Sequence, residues 1–173
     1  VQAHSSERPD YGAALRAGFL ASSGEEVVNF DVDGVDLEFL ARARRVAQEE
    51  GADIVVGSKM ASGAADGRVA TRRAVTACFS LVMRRGFGLR VSDTHGVKLL
   101  RRAPVAPIVL ICRFGQDIFD TELVLRAERA GLRVAELPVT VVERRPPRSP
   151  ISRRIPRSLL GLAKLRVGLW LGR

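Results

Sequence analysis

Residues 26–34 constrain the fold more than any other part of this chain. An apolar run ends at Asp31, a single residue separates it from Asp33, and Gly34 follows. In a strand the side chains alternate between faces, so Asp31 and Asp33 are expected to project to the same side. Two carboxylates at a strand end suit a hard divalent cation. The D-x-D pattern is short, however, and it also fits a strand that simply stops at a polar turn.

Helix and strand patterns alternate around this stretch. Asp10 is a suitable N-cap for a helix that ends near Ser22, and Asp36 is a suitable N-cap for a helix over residues 37–50. Residues 52–57 form a short apolar run bounded by turn residues. This rhythm predicts an α/β fold with a mostly parallel central sheet.

The second half of the chain continues the pattern. Helices are predicted over residues 69–85 and 119–130, and a third helix is predicted to open at the prolines 104 and 107 and to run to residue 111. Extended segments are predicted over 97–100, 132–136 and 138–143. Residues 58–67, rich in Gly, Ala and Ser, are predicted to form a loop. We therefore expect one domain over residues 1–143, large enough to be a catalytic domain, followed by a tail.

The tail, residues 144–173, carries much of the basic charge. The chain has a net charge of +9 and a pI of about 11.0, which predicts an anionic partner. Residues 144–173 contain nine Arg or Lys and no Asp or Glu. A proline-rich basic linker, 144–156, followed by a Leu- and Trp-rich helix suits an anionic membrane surface. The alternative is a helix that packs on the domain's own core or on a second subunit.

Other features narrow the class of protein. Aromatic residues make up only 5% of the chain, which counts against nucleic acid held by base stacking. Cys78 and Cys112 stand singly in apolar runs and are predicted to be buried thiols in a reducing compartment. No secretory signal opens the chain, and no apolar run approaches the roughly 18 residues that span a bilayer.

Six stretches, in the expected order, carry a resemblance to a known family. They are Tyr11-Gly-Ala-Ala-Leu-Arg-Ala-Gly18, Phe30-Asp-Val-Asp-Gly34, Asp53-Ile-Val-Val-Gly-Ser-Lys59, Ser92-Asp-Thr-His-Gly-Val-Lys98, Phe119-Asp-Thr-Glu-Leu123 and Gly131-Leu-Arg-Val-Ala-Glu-Leu-Pro-Val139. The chain resembles the family-2 glycosyltransferases of the polyprenyl-phosphate (dolichol-phosphate) mannosyl- and glucosyltransferase type. The resemblance implies a GT-A-like three-layer sandwich. The family's amino-terminal strand and the next one have no counterpart here, so we expect an amino-terminally truncated domain.

The resemblance assigns roles to several charged residues. Asp31 and Asp33 are expected to bind the ribose of a sugar nucleotide and its Mg²⁺ or Mn²⁺. Lys59 stands where relatives usually carry Arg, and it is expected to contact a phosphate of donor or acceptor. Lys supplies charge but not the bidentate fork of Arg. The alternative for Lys59 is a solvated side chain at a strand end.

The start of the predicted helix 69–85 receives a role in the same way. Arg72, Arg73 and Thr76 are expected to contact a lipid phosphate near a helix start, where backbone N–H groups favour anions. The alternative is a basic first turn on a solvent face.

Asp93 is expected to act as a base within reach of the acceptor, or else to form an Asx turn in which His95 is a polar turn residue. Glu122 is expected to face the site and act in catalysis, whereas Asp120 is expected to cap its helix.

Together these expectations describe an inverting, metal-dependent transferase. It would move a hexose from GDP-mannose or UDP-glucose to a polyprenyl or dolichyl phosphate, as a peripheral protein at the cytoplasmic face of the plasma membrane. The acceptor phosphate is largely dianionic at pH 7, so no strong base is required. The alternatives are a different acceptor, or a non-catalytic basic module that binds anionic lipid or nucleic acid.

Overall fold

The computed structural model describes residues 10–30, 35–67, 70–115, 118–141 and 151–170. The helices are α1 (Tyr11–Ala21), α2 (Leu37–Glu49), α3 (Ala70–Phe87), α4 (Arg102–Ile111), α5 (Phe119–Arg129) and α6 (Ile151–Trp170). The strands are β1 (Glu26–Asn29), β2 (Ile54–Ser58), β3 (Ala65–Asp66), β4 (Lys98–Arg101), β5 (Val134–Pro138) and β6 (Thr140–Val141). Helix and strand alternate through most of the chain, as predicted.

The main sheet has the strand order β1-β4-β2-β5. β4 runs antiparallel to β1 and to β2, while β2 and β5 are parallel. Three strands therefore point the same way and β4 is reversed, which agrees with a mostly parallel sheet. β3 and β6 form a separate parallel pair, so a short strand lies inside the predicted loop 58–67.

Helices cover both faces of the main sheet. Ile54 and Val56 of β2 are fully buried in the larger of two apolar clusters, which also contains residues of α1, α3, α4, α5 and α6. Val55 points to the other face and is buried with Phe39 and Ala43 of α2. This alternation along β2 is the pattern of a strand buried on both sides. The three-layer α/β sandwich is confirmed.

Local capping signals explain where the first two helices begin. Asp10 Oδ1 accepts the backbone N–H of Ala13 at 3.0 Å, and Asp36 Oδ1 accepts that of Phe39 at 2.8 Å. These contacts satisfy N–H groups that have no partner inside a helix. Gly51, just after α2, has a φ of +64°, a conformation that glycine adopts at little cost. Both predicted caps are confirmed.

The helix of the tail is present but begins earlier than predicted. α6 begins at Ile151, so the last part of the predicted linker 144–156 is helical, while residues 142–150 lie outside the described residues. Leu162 and Leu165 are buried in the larger apolar cluster. One face of α6 therefore packs on the domain's own core. Within the described part of the chain, no helix is both long enough and apolar enough to cross a membrane.

The two cysteines have different environments. Cys112 is buried, and this burial, followed by the nearby Glu122 carboxylate, raises the pKa of its thiol to about 12. The thiol stays protonated at neutral pH. Cys78 lies on an exposed position of α3, so the prediction that it is buried is wrong. The apolar residues around Cys78 in sequence include exposed side chains such as Val75 and Leu81.

The packing of α6 can be tested at Gly161. A Cβ added there would lie 2.5 Å from Ile118 Cγ1, closer than atoms can approach without a shift. We expect Gly161→Ala to lower the free energy of unfolding by about 1–3 kcal/mol, measured by urea denaturation. Gly18→Ala in α1 is the control, because nothing lies within 4 Å of its added Cβ. It should stabilise by about 0.5–1 kcal/mol. Equal stabilisation at both positions would contradict the observed packing.

Candidate functional site

The carboxyl ends of β1, β2 and β5 meet the amino end of β4 at one edge of the main sheet, which we call the site edge. Asn29 of β1 and Val56 of β2 are both register partners of Lys98 on β4. Val56 also pairs with Glu136 on β5. In open α/β sheets, ligands bind outside the carboxyl ends of the strands. We therefore expect catalytic side chains to lie at the site edge.

Two predicted site residues from distant segments lie together here. Lys59 follows β2, and its Nζ lies 2.5 Å from Asp93 Oδ2 in the turn before β4. The Lys59 side chain is 14% exposed and that of Asp93 is 4% exposed. An ion pair held this far from water is less screened than one on the open surface. The site edge thus carries a fixed cation next to a fixed carboxylate.

The turn that carries Asp93, residues 92–96, is tied down by its own side chains. Asp93 Oδ1 accepts the backbone N–H of His95 at 3.0 Å, so the predicted Asx turn is present alongside the ion pair. The hydroxyls of Thr94 and Thr121 lie 2.9 Å apart in a buried contact with α5. The His95 ring meets the Phe79 ring of α3 edge-on, with centroids 5.7 Å apart. The turn is therefore anchored to two helices.

A second ion pair lies beneath the site edge. Lys98 Nζ donates to Asp120 Oδ1 at 2.8 Å and to the backbone oxygen of Gly96 at 2.9 Å. Both side chains are buried. The expectation that Asp120 caps its helix is wrong, because the N-cap of α5 is Ile118 and Asp120 instead neutralises a buried cation. This pair joins β4, the turn and α5.

The position of Glu122 differs from the one expected for it. It is fully buried; its Oε2 accepts the backbone N–H groups of Arg113 and Phe114 at 2.9 and 2.8 Å. Its Oε1 accepts Arg126 Nε at 2.8 Å. These contacts hold the segment after α4 against α5. The structure gives Glu122 a supporting position inside the domain and does not bring it to Lys59 and Asp93, which corrects the expectation of a catalytic carboxylate.

The predicted phosphate-binding residues lie at the start of α3. Arg72, Arg73 and Thr76 fall in its first two turns, with Arg73 exposed and Thr76 half-buried. The helix reaches the site turn through the contact between Phe79 and His95. The middle of α3 is thus connected to the turn that carries Asp93.

Two charged residues at the site edge were missed by sequence reasoning. Lys98 opens β4 and Glu136 lies in β5, each with apolar residues on either side. A charged side chain inside an apolar strand is costly to bury unless it finds a partner. That mismatch is the signal that would have marked both positions.

A cavity of about 260 Å³ opens beside the site edge, between α1, β1, β4 and α5. Its polar lining comes from Asn29, Lys98 and Asp120, and the rest is largely apolar. Pockets that hold drug-sized ligands usually exceed roughly 300 Å³. This cavity is therefore slightly smaller than a typical ligand pocket.

The predicted metal ligands, Asp31 and Asp33, lie outside the described residues. β1 ends at Asn29, two positions earlier in the sequence. Within the described ranges, no group of three or more His, Cys, Asp or Glu side chains is arranged to hold a metal ion. Carboxylate oxygens are the donors that Mg²⁺ prefers. The chemistry of the D-x-D pair therefore fits such a cation, although its geometry is not described.

The chain is similar in sequence to several known proteins. No protein-family model matches the chain. An uncharacterized glycosyltransferase of Mycobacterium bovis is 31% identical over 157 residues, which cover 90% of this chain and 70% of the relative. A Mycobacterium tuberculosis relative with the same description gives the same values. Glycosyltransferase AglD of Haloferax volcanii is 28% identical over 138 residues, or 79% of this chain and 22% of AglD.

A solved structure shares the fold. Glucosyl-3-phosphoglycerate synthase of M. tuberculosis superposes with a TM-score of 0.58 at 20% identity, covering 84% of this chain and 50% of that one. The chain thus spans half the length of this solved relative, and the likeness is one of fold alone. It confirms the predicted GT-A-like fold. On the identity and coverage of the mycobacterial relatives, the chain belongs to the glycosyltransferases.

Proposed function

We propose that this chain forms part of the catalytic domain of an inverting transferase that moves a hexose from a nucleoside-diphosphate sugar to a polyprenyl phosphate. The ion pair between Lys59 and Asp93 at the site edge carries the proposal. It supplies a positioned cation at the edge where α/β sheets bind their ligands. The sequence resemblance to polyprenyl-phosphate transferases supports the acceptor class.

The reaction needs little more than positioning and charge. An oxygen of the acceptor phosphate attacks the anomeric carbon, the new C–O bond forms as the bond to the nucleoside diphosphate breaks, and the anomeric configuration inverts. The acceptor monophosphate has a second pKa near 6, so it is largely a dianion at pH 7 and needs no strong base. Lys59 would neutralise phosphate charge, and Asp93 would hold its ammonium group in place.

Metal dependence is part of the proposal. Asp31 and Asp33 would hold Mg²⁺ or Mn²⁺, which when bound neutralises the leaving diphosphate. Arg72, Arg73 and Thr76 would bind the acceptor phosphate. The contact between α3 and the site turn supports this assignment, because it connects their helix to Asp93.

The exposed face of α6 supports a membrane-bound acceptor. Leu159, Leu160 and Val167 are exposed, and the basic residue Lys164 is exposed beside them. A helix that mixes apolar and basic side chains on one face suits an anionic lipid surface. α6 would thus use one face to pack on the core and the other to bind the membrane. The proposed location is the cytoplasmic face of the plasma membrane, with the protein bound peripherally.

The membrane face leads to a specific prediction. The triple variant Leu159→Ser, Leu160→Ser, Val167→Ser should lose about tenfold or more in affinity for vesicles containing phosphatidylserine, since apolar burial drives interfacial binding. Co-sedimentation measures the bound fraction. Leu37→Ser, at an exposed leucine on α2, is the control and should bind as the parent does. Unchanged binding of the triple variant would contradict the membrane role of α6.

Transfer assays on the full-length protein test the proposal itself. Labelled UDP-glucose and GDP-mannose are each offered with polyprenyl phosphate, with 3-phosphoglycerate, or with no acceptor, in the presence of Mg²⁺ or Mn²⁺. We expect a product only with polyprenyl phosphate, and with inverted anomeric configuration. Transfer to 3-phosphoglycerate, the chemistry named for the solved relative, would overturn the lipid acceptor. Vesicle binding without any transfer would favour a non-catalytic basic module.

A further inference from the structure

Glu136 of β5 makes contacts that the proposed chemistry does not use. It is half-buried at the site edge, beside Val56 of β2. Its Oε1 accepts the hydroxyl of Ser92 at 2.8 Å and the backbone N–H of Asp93 at 3.1 Å. One carboxylate oxygen thus binds two consecutive residues of the site turn.

These contacts extend to the loop after β2. Ser92 has a single hydroxyl proton and Glu136 is an acceptor when ionised, so Ser92 donates to it. Ser58 must then be the donor in its 3.1 Å contact with Ser92. The lone pairs of Ser58 remain free to accept the N–H groups of Met60 and Ala61 at 3.1 and 3.0 Å. Glu136 therefore determines the direction of the whole hydrogen-bond chain.

The chain of hydrogen bonds reaches the segments of both partners in the Lys59–Asp93 ion pair. Glu136 binds the backbone of Asp93, and Ser58 immediately precedes Lys59 and binds the residues just after it. The segments that carry the Lys59 ammonium and the Asp93 carboxylate are thus held by one connected set of contacts. This set acts together with the backbone hydrogen bond from the N–H of Gly57 to the oxygen of Val97 at 2.8 Å, which joins β2 to the residue after the turn.

We infer that Glu136 is a positioning residue, whose carboxylate holds the turn carrying Asp93 and, through Ser92 and Ser58, the loop carrying Lys59. The tether itself rests on the hydrogen bonds, whereas its importance for turnover rests on the proposed function. A variant at this position should therefore change the dynamics of both loops and, separately, the catalytic rate.

Amide hydrogen exchange followed by NMR tests the tether without any substrate. In Glu136→Ala, the amides of Asp93, Met60 and Ala61 should exchange about tenfold faster or more, because their acceptors are lost or released. Glu136→Gln keeps a side-chain oxygen that can accept both bonds, so exchange should stay within about threefold of the parent. Unchanged exchange at Met60 and Ala61 in Glu136→Ala would overturn the connection to Ser58.

Glu128 provides a matched control for this experiment. Its carboxylate accepts the backbone N–H groups of Arg90 and Val91, just before the site turn, at 2.9 to 3.3 Å. Glu128→Ala should speed exchange at those two amides and leave Asp93 and Met60 unchanged. If Glu128→Ala released the site turn as strongly as Glu136→Ala, the specific role of Glu136 would be refuted.

Kinetics on the full-length enzyme test the catalytic part, with polyprenyl phosphate and the sugar nucleotide that supports turnover. Glu136→Ala should lower kcat about tenfold with little change in KM for the donor, and Glu136→Gln should restore most of it. In a variant that already carries Asp93→Asn, adding Glu136→Ala should lower kcat by less than about twofold, because the effect of Glu136 acts through Asp93. Independent, multiplying effects would overturn this part. An inactive parent would refute the proposed function, while the exchange data would still decide the tether.

Discussion

Asp120→Ala will lower the free energy of unfolding by about 3–5 kcal/mol, the range for removing one partner of a buried ion pair. Lys98, only 1% exposed, donates to Asp120 at 2.8 Å and to the backbone oxygen of Gly96 at 2.9 Å. The substitution leaves the Lys98 ammonium buried, with only the Gly96 oxygen of these two acceptors. The loss arises from this uncompensated charge more than from the missing attraction.

Urea denaturation of the purified protein measures this effect. The double variant Lys98→Met, Asp120→Leu removes both charges and should regain most of the lost stability, because buried pairs exchanged for apolar residues are often neutral. Arg44→Ala is the surface control. It breaks a pair with Glu26 whose side chains are 55% and 26% exposed, and it should cost less than about 1 kcal/mol. A similar cost for Asp120→Ala and Arg44→Ala would contradict a buried pair.

The same pair also helps to hold the site turn in place. Lys98 binds the oxygen of Gly96, whose φ of +124° is a conformation that side-chain-bearing residues rarely adopt. A Cβ at Gly96 would lie 2.9 Å from the oxygen of Gly57, so the turn sits directly on β2. Glu136 holds the other end of the turn. Asp93 is thus positioned from both ends of a short segment.

Local signals were enough to predict much of the fold. The caps at Asp10 and Asp36 depend on side chains that bind an amide three residues ahead, so the sequence contains both partners. The apolar run of β2 is recognisable because both of its faces are buried. The reversal of β4 was not predictable in this way, since strand direction depends on contacts between distant segments.

The candidate site was predicted less completely for the same reason. Lys59 and Asp93 were recognised separately, but their contact joins segments 34 residues apart. Asp120 was predicted to be a cap and Glu122 a catalytic group, whereas both are buried carboxylates with partners inside the domain that the local sequence does not reveal. Only the position of Lys98, 22 residues away, shows which carboxylate lies at the site edge. The helix of the tail was predicted, but its start was placed too late because the prolines before residue 157 suggested a linker.

Asp33→Asn in the full-length enzyme will lower kcat/KM about a hundredfold or more, if the D-x-D pair holds the cation that neutralises the leaving diphosphate. The substitution keeps the size of the side chain and removes one negative charge, so the loss should come from weaker metal binding. Transfer rates measured over a Mn²⁺ titration should show a higher half-saturating metal concentration. Removing metal from the parent with EDTA should abolish transfer, and added Mn²⁺ should restore it.

Asp36→Asn is the matched control for this prediction, since it removes the same charge three positions later in the chain. Asp36 caps α2 by accepting the N–H of Phe39, and Asn caps helices about equally well. Its kcat/KM and its Mn²⁺ dependence should therefore remain within about twofold of the parent. If Asp33→Asn behaved like Asp36→Asn, the carboxylate at position 33 would have no part in transfer. The charge on the leaving group would then have to be neutralised by the cationic side chains, with Lys59 the first to test.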